Sequence, residues 1–139
     1  MTIEDIMEMW GEDSHIDDKD LDNESLKIPN LHQKYLNIYS KEKRKLNDLK
    51  THWKVLFQQR WEVVISKNGK APDHNIRISK TELEKHYVAA DESLQKAEKI
   101  LNEQEGKVDY LKSVLSMIEN RSFHINNAIN WRKFVAGLG

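Results

Sequence analysis

The stretch from Leu83 to Ile118, LEKHYVAADESLQKAEKILNEQEGKVDYLKSVLSMI, decides the fold class. In it Leu83, Tyr87, Ala90, Leu94, Ala97, Leu101, Gln104, Val108, Leu111, Leu115 and Ile118 recur at alternating spacings of four and three. That rhythm keeps one stripe on one side of a helix through five heptads. Upstream, no Gly or Pro occurs between Pro29 and Gly69, and Tyr35, Tyr39, Glu42, Leu46, Leu49, Trp53, Leu56, Arg60 and Val63 keep the same spacing. The pattern predicts a helix from Leu31 to Val64 whose seam has two polar interruptions, Glu42 and Arg60. Between the seams, KNGKAPDHNIRI at 67–78 carries turn signals, and Ser79 with Glu82 forms a capping box that opens the second helix. Two long helices joined by so short a connection make an all-α antiparallel hairpin the economical architecture.

The ends extend this hairpin. Ile3, Ile6, Met7 and Trp10 mark a short first helix that Gly11 stops, and GEDSHIDDKDLDNES at 11–25 reads as an extended or mobile acidic linker. At the other end, Ser122–Leu138 is amphipathic on a new face, with Ala128, Trp131, Val135 and Leu138 in one stripe and Phe123, Ile125, Ile129 and Phe134 beside it. Leaving so many apolar side chains wet costs roughly 1.5 to 3 kcal/mol for each large one. Self-association through this helix is the favoured expectation, and folding back onto the hairpin is the alternative. Gly106 interrupts the second seam and marks a bend or a handover between packing partners. The organisation expected is therefore an acidic helix and linker at 1–25, the hairpin at 26–118 and an oligomerisation helix at 119–139.

Composition excludes several classes. Cysteine is absent, which removes disulfide scaffolds, thiolate zinc sites and thiol nucleophiles, and suits a reducing cytoplasm. No apolar run reaches about eighteen residues, and the first residues are acidic where a signal peptide would be basic, so a soluble, unexported chain is expected. The net charge of −1 conceals a polarity. Residues 1–25 hold ten acids and one base, whereas 41–80 hold eleven bases and four acids. Such asymmetry points to a polyanionic partner or, more simply, to solvated helix faces of opposite sign.

No catalytic constellation is present, and a non-enzymatic protein without cofactor is expected. The six histidines are scattered with no i, i+4 pair, so they make no zinc site. Asp18, Asp20 and Asp22 begin like a calcium loop, but Asn23 stands where the Gly belongs and Pro29 where the bidentate Glu belongs. Neither phosphate-binding glycine motif occurs. What remains is a basic block, Lys41, Lys43, Arg44, Lys45, Lys50 and Lys54, leading into Trp53, Phe57, Arg60 and Trp61 on one helical face. Cations neutralise phosphates while rings and guanidinium stack on unpaired bases, the combination that single-strand binding requires. Trp53 also suits a core position on the seam. Arg60 on an apolar seam needs a carboxylate, such as Glu62 or one in 82–84, or an anionic ligand.

Two strings add a family resemblance. IEDIMEMWGEDSHIDDKDLDNESLKIPNLHQKYLNIYSKEK at 3–43 and KVDYLKSVLSMIENRSFHINNAINWRKFVAG at 107–137 resemble the UvsY family, the recombination mediators of T-even-type bacteriophages. The likeness is good over residues 1–66 and 107–139 and poor over 67–106. It implies a small non-catalytic protein that acts in the host cytoplasm and binds single-stranded DNA. It also implies a protein that helps a phage RecA-like recombinase displace the single-strand-binding protein, and a ring-like homo-oligomer built through C-terminal helices. The family's DNA-contacting stretch, K-x-R-L, corresponds here to Gln58, Gln59, Arg60 and Trp61, so the arginine is kept while the lysine and leucine are replaced. Lys54, one turn earlier, and the cations at 41–50 are expected to supply the missing charge, with Trp61 offering a stacking surface. The competing expectation is a coiled-coil adaptor without DNA binding.

Overall fold

The computed structural model describes residues 1–68 and 91–138, and among them every regular element is helical. Four helices follow one another: α1 (Ile3–Asp13), α2 (Leu21–Asn68), α3 (Glu92–Glu119) and α4 (Arg121–Val135). Among the described residues no helix is long and apolar enough to cross a membrane. The turn from Gly69 onward, the Ser79–Glu82 capping box and the seam positions Leu83, Tyr87 and Ala90 lie outside the described residues.

α1 opens on a reciprocal cap. The Asp5 N–H donates to Thr2 Oγ1 at 3.2 Å, and the Thr2 N–H donates to Asp5 Oδ2 at 2.9 Å. This satisfies two of the donors that a helix start leaves orphaned. The helix runs past Gly11 to Asp13.

α2 starts ten residues before the expected Leu31 and carries Pro29 inside it. Within the acidic segment 11–25, Ser14–Asp20 joins α1 to α2 and the residues on either side are helical. Proline within a helix costs about 3 kcal/mol, because it removes one backbone bond and crowds the preceding turn. Burial of Leu21 and packing of Ile28 and Leu31 against the core offset that cost and keep the helix continuous.

The chain forms two compact units, Met1–Lys43 with Gly106–Gly139, and Arg44–Glu105. Both long helices cross from one unit to the other, α3 at the glycine where the seam weakens.

In the first unit Ile6, Trp10, Tyr35, Leu111, Val114, Leu115 and Ile118 form the core. Trp10 meets Tyr35 edge-on with ring centroids 5.4 Å apart, so α1 docks on α2 through its apolar stripe. α2 and α3 run antiparallel here, as Glu42 facing Lys107 at 3.4 Å and His32 facing Glu119 at 3.5 Å require. The first of these contacts accounts for one polar interruption of the seam. Glu42 is buried, and the Lys107 ammonium that faces it also donates to the Met1 carbonyl at 2.8 Å.

The first unit also holds the connection between α1 and α2 by a clamp. Arg121, at the start of α4 and 6% exposed, donates to the carbonyls of Asp13 and Ser14 at 3.1 Å and of His15 at 2.9 Å. Beside it Asp13 accepts from Lys34 at 2.6 Å and from the Tyr35 hydroxyl at 2.8 Å. Burial works against the Asp13 charge, but these two donors prevail and hold the carboxyl below its ordinary value.

In the second unit α2 and α3 are again antiparallel. Lys50 faces Glu105 at 3.9 Å, and Arg60 pairs with Asp91 at 2.8 Å. Leu46, Leu94 and Gln104 are buried between the ends of this segment.

Candidate nucleic-acid interface

Helical geometry sorts the basic block, because residues seven and eleven apart share a face. Lys50, Lys54, Phe57 and Trp61 stand at i, i+4, i+7 and i+11 of α2, and so line one flank. Lys45 falls on the other flank and Arg44 on the side facing away from the buried seam, although both are exposed, and Lys41 belongs to the first unit. Lys43 follows the register of Lys50 but belongs to the first unit. The eight expected DNA contacts therefore do not form one patch. Lys50, Lys54 and Trp61 share a face, Arg60 borders it, and Arg44 and Lys45 point elsewhere.

The aromatic side chains on this flank are stacked. Trp53 lies over Phe57 with centroids 5.3 Å apart and planes 23° apart, and Phe57 over Trp61 at 6.3 Å and 8°. Three half-buried rings thus make a ladder along two turns of α2, bordered by two exposed lysines. The Trp53 Nε1–H is buried without an acceptor, whereas most buried indoles find one. Trp53, read as a seam position, is also the first rung of this ladder.

Arg60 is the second polar interruption of the seam, and its carboxylate comes from Asp91. Its Nε donates to Asp91 Oδ2 at 2.8 Å, with the arginine side chain 44% exposed and the aspartate 7%. Glu62, a nearer candidate in sequence, accepts from Gln58 at 3.1 Å. Asp91 precedes the first residue of α3, and its Oδ1 accepts the Leu94 N–H at 3.0 Å, the geometry of an N-cap. Burial raises the cost of the Asp91 charge, yet the Arg60 hydrogen bond and the backbone donors of α3 hold its carboxyl below the usual range. The pair therefore remains ionised at neutral pH. Sequence reasoning missed Asp91, although an aspartate three residues before a seam leucine is a capping signal.

α4 carries the expected association residues, and the structure divides them. Phe123, Trp131, Phe134, Val135 and Leu138 are exposed, Trp131 and Phe134 being 65% and 70% accessible and stacked at 5.7 Å. Ala128 and Ile129 are half-buried. Ile125, at 2% exposure, is buried within its own chain. Among the described residues no cluster of His, Asp and Glu has the arrangement of a metal site.

Two crystal structures of the bacteriophage T4 recombination mediator protein UvsY share this fold. One is 24% identical with a TM-score of 0.77, covering 96% of this chain and 98% of the other. The second is 25% identical with a TM-score of 0.79, covering 98% of both chains. No curated protein sequence matches the chain. The family model described as "Recombination, repair and ssDNA binding protein UvsY" matches residues 9–138, nearly the whole length, and this chain belongs to the UvsY family.

Proposed function

We propose that this protein binds single-stranded DNA along the flank of α2 formed by Lys50, Lys54, Arg60 and the Trp53–Phe57–Trp61 ladder. It does so as a homo-oligomer joined through α4, and promotes loading of a RecA-like phage recombinase onto strands covered by single-strand-binding protein. Its setting is homologous recombination and repair in the host cytoplasm. The observation that carries this reading is the ladder of stacked rings bordered by cations. Such a surface takes bases against its exposed aromatic side and phosphates on ammonium groups without reading sequence. Each chain offers only a few phosphate contacts, so binding by one copy is weak and salt-sensitive, and several copies on one strand replace affinity with avidity. The exposed Trp131, Phe134, Val135 and Leu138 supply an apolar surface for that assembly.

The test is fluorescence anisotropy of a labelled single-stranded oligonucleotide at two salt concentrations, alongside the solution mass by light scattering. Tight, salt-sensitive binding by an oligomer is expected. An oligomer blind to DNA at low salt leaves the adaptor reading in its place. Recombinase loading is then read as faster filament assembly on strands coated with single-strand-binding protein.

A further inference from the structure

We infer that Asp91 is a positioning residue for DNA binding, holding the Arg60 guanidinium by its Nε edge in the orientation that meets a phosphate. The inference rests on the single-strand reading above and assigns a role to a residue on another helix, 31 positions away.

The cap alone does not account for a carboxylate at this position. An N-cap needs one acceptor oxygen, and Asn or Ser supplies it as well as Asp does. Here the second oxygen is committed to Arg60, from a side chain almost wholly buried, while the cation it holds reaches the rim. The Nε–H bond lies in the plane of the guanidinium, so a short contact there restrains the direction of the group as well as the position of the charge. Planarity is what distinguishes arginine from lysine in phosphate recognition. The acceptor is itself held in place, since Asp91 Oδ1 takes the Leu94 N–H in the first turn of α3. Arg60 precedes Trp61, the last ring of the ladder, in sequence.

Charge and geometry predict opposite signs, which makes the inference testable. Asp91 places a negative charge near a polyanion site, so a residue acting through charge alone gives tighter binding when neutralised. A residue acting through Arg60 gives weaker binding.

The experiment measures single-stranded oligonucleotide affinity of the full chain by anisotropy across a salt series, for the parent protein, Arg60→Ala, Asp91→Asn and the double variant. Asn keeps the cap, and circular dichroism with thermal melting verifies the fold; Asp91→Ser, also a good cap, replaces it should Asp91→Asn fail to fold. Asp91→Asn is expected to weaken binding by about threefold to tenfold, the loss of one charge-assisted contact. The slope of log affinity against log salt falls by about 0.7, one phosphate on a single strand. On the Arg60→Ala background the substitution has no further effect. Equal or tighter binding by Asp91→Asn, or an undiminished loss in the double variant, overturns the inference. A parent protein blind to DNA overturns the single-strand reading itself, and an unchanged Arg60→Ala overturns the Arg60 contact on which both depend.

Discussion

The Arg121 guanidinium donates to the His15 carbonyl at 2.9 Å and, with the same fork, to the two carbonyls before it. The start of the last helix thereby fastens the connection between the first two, more than a hundred residues away in sequence. The three carbonyls belong to the last residue of α1 and the first two of the connection, so one side chain ties the end of α1 to the segment that follows it.

Replacing Arg121 with Met leaves three carbonyls without their donor while keeping the bulk of the side-chain stem. Ser14 and His15 are exposed, so water replaces much of what the carbonyls lose, and a loss of about 1 to 3 kcal/mol is expected from the charge-assisted bonds. Urea unfolding followed by circular dichroism measures it. A midpoint equal to the parent's shows that the clamp contributes nothing.

Acid acts on Asp13. Burial opposes its charge, but donation from Lys34 and Tyr35 outweighs that and depresses the folded pKa below the ordinary 3.8. A depressed carboxyl stabilises the fold above its unfolded pKa, and that contribution disappears as pH falls through the lower folded value. Stability is therefore expected to be level from neutral pH to about 4 and to decline below it. Asp13→Asn is expected to be less stable at pH 7 and to show a shallower decline below pH 4. Melting temperatures taken from pH 7 to pH 2.5 decide the matter, and parallel curves for the two proteins exclude the assignment.

The flank of α2 predicts which cations count. Trp61→Ala removes the last ring of the ladder and is expected to cost about 1 to 3 kcal/mol of single-strand affinity, the range for a base–aromatic stack. Lys54→Ala is expected to weaken binding and to lower the salt slope by about 0.7. Lys45→Ala, on the opposite flank, is expected to leave both unchanged within error. Equal losses for Lys45 and Lys54 would mean that diffuse charge, and not a face, attracts the strand.

On α4 two neighbouring apolar residues are expected to behave differently. Trp131→Asp places a charge on the exposed face and is expected to lower the solution mass while leaving helix content intact. Ile125→Ala removes a buried side chain and is expected to cost about 2 to 5 kcal/mol of stability. Light scattering and urea unfolding on both variants separate the effects. An unchanged mass for Trp131→Asp removes this face from the assembly.

Much of the helical fold is legible in spacing because a helix repeats every few residues and its apolar side must be covered. Of the positions read as seams, Leu46, Leu94, Val108, Leu111, Leu115 and Ile118 are buried, whereas Leu49, Trp53, Leu56, Ala97 and Leu101 are half-buried and Arg60 is exposed. Pro29 shows where local rules lose: tertiary burial of Leu21 and the packing of Ile28 and Leu31 outweigh one missing backbone bond. The acidic run at 11–25 was illegible for the same reason, since its few apolar residues are used on the core rather than in a continuous pattern. In the candidate site the residue types were visible, but a one-dimensional count of cations does not divide Lys54 from Lys45. The helical register does.

By itself, then, the amino-acid order determined the periodic features: helices, the side of each that turns inward, and an Arg60 and a Glu42 on that side in need of partners. These depend on neighbours within a turn or two, where geometry is set by the backbone. Only the tertiary structure decided that Asp91 answers Arg60, that Lys107 answers Glu42, and that Arg121 closes on residues 13–15. Those pairings join residues 31, 65 and more than a hundred positions apart. A charge states that it needs a counter-charge, but not which segment of the folded chain will bring one.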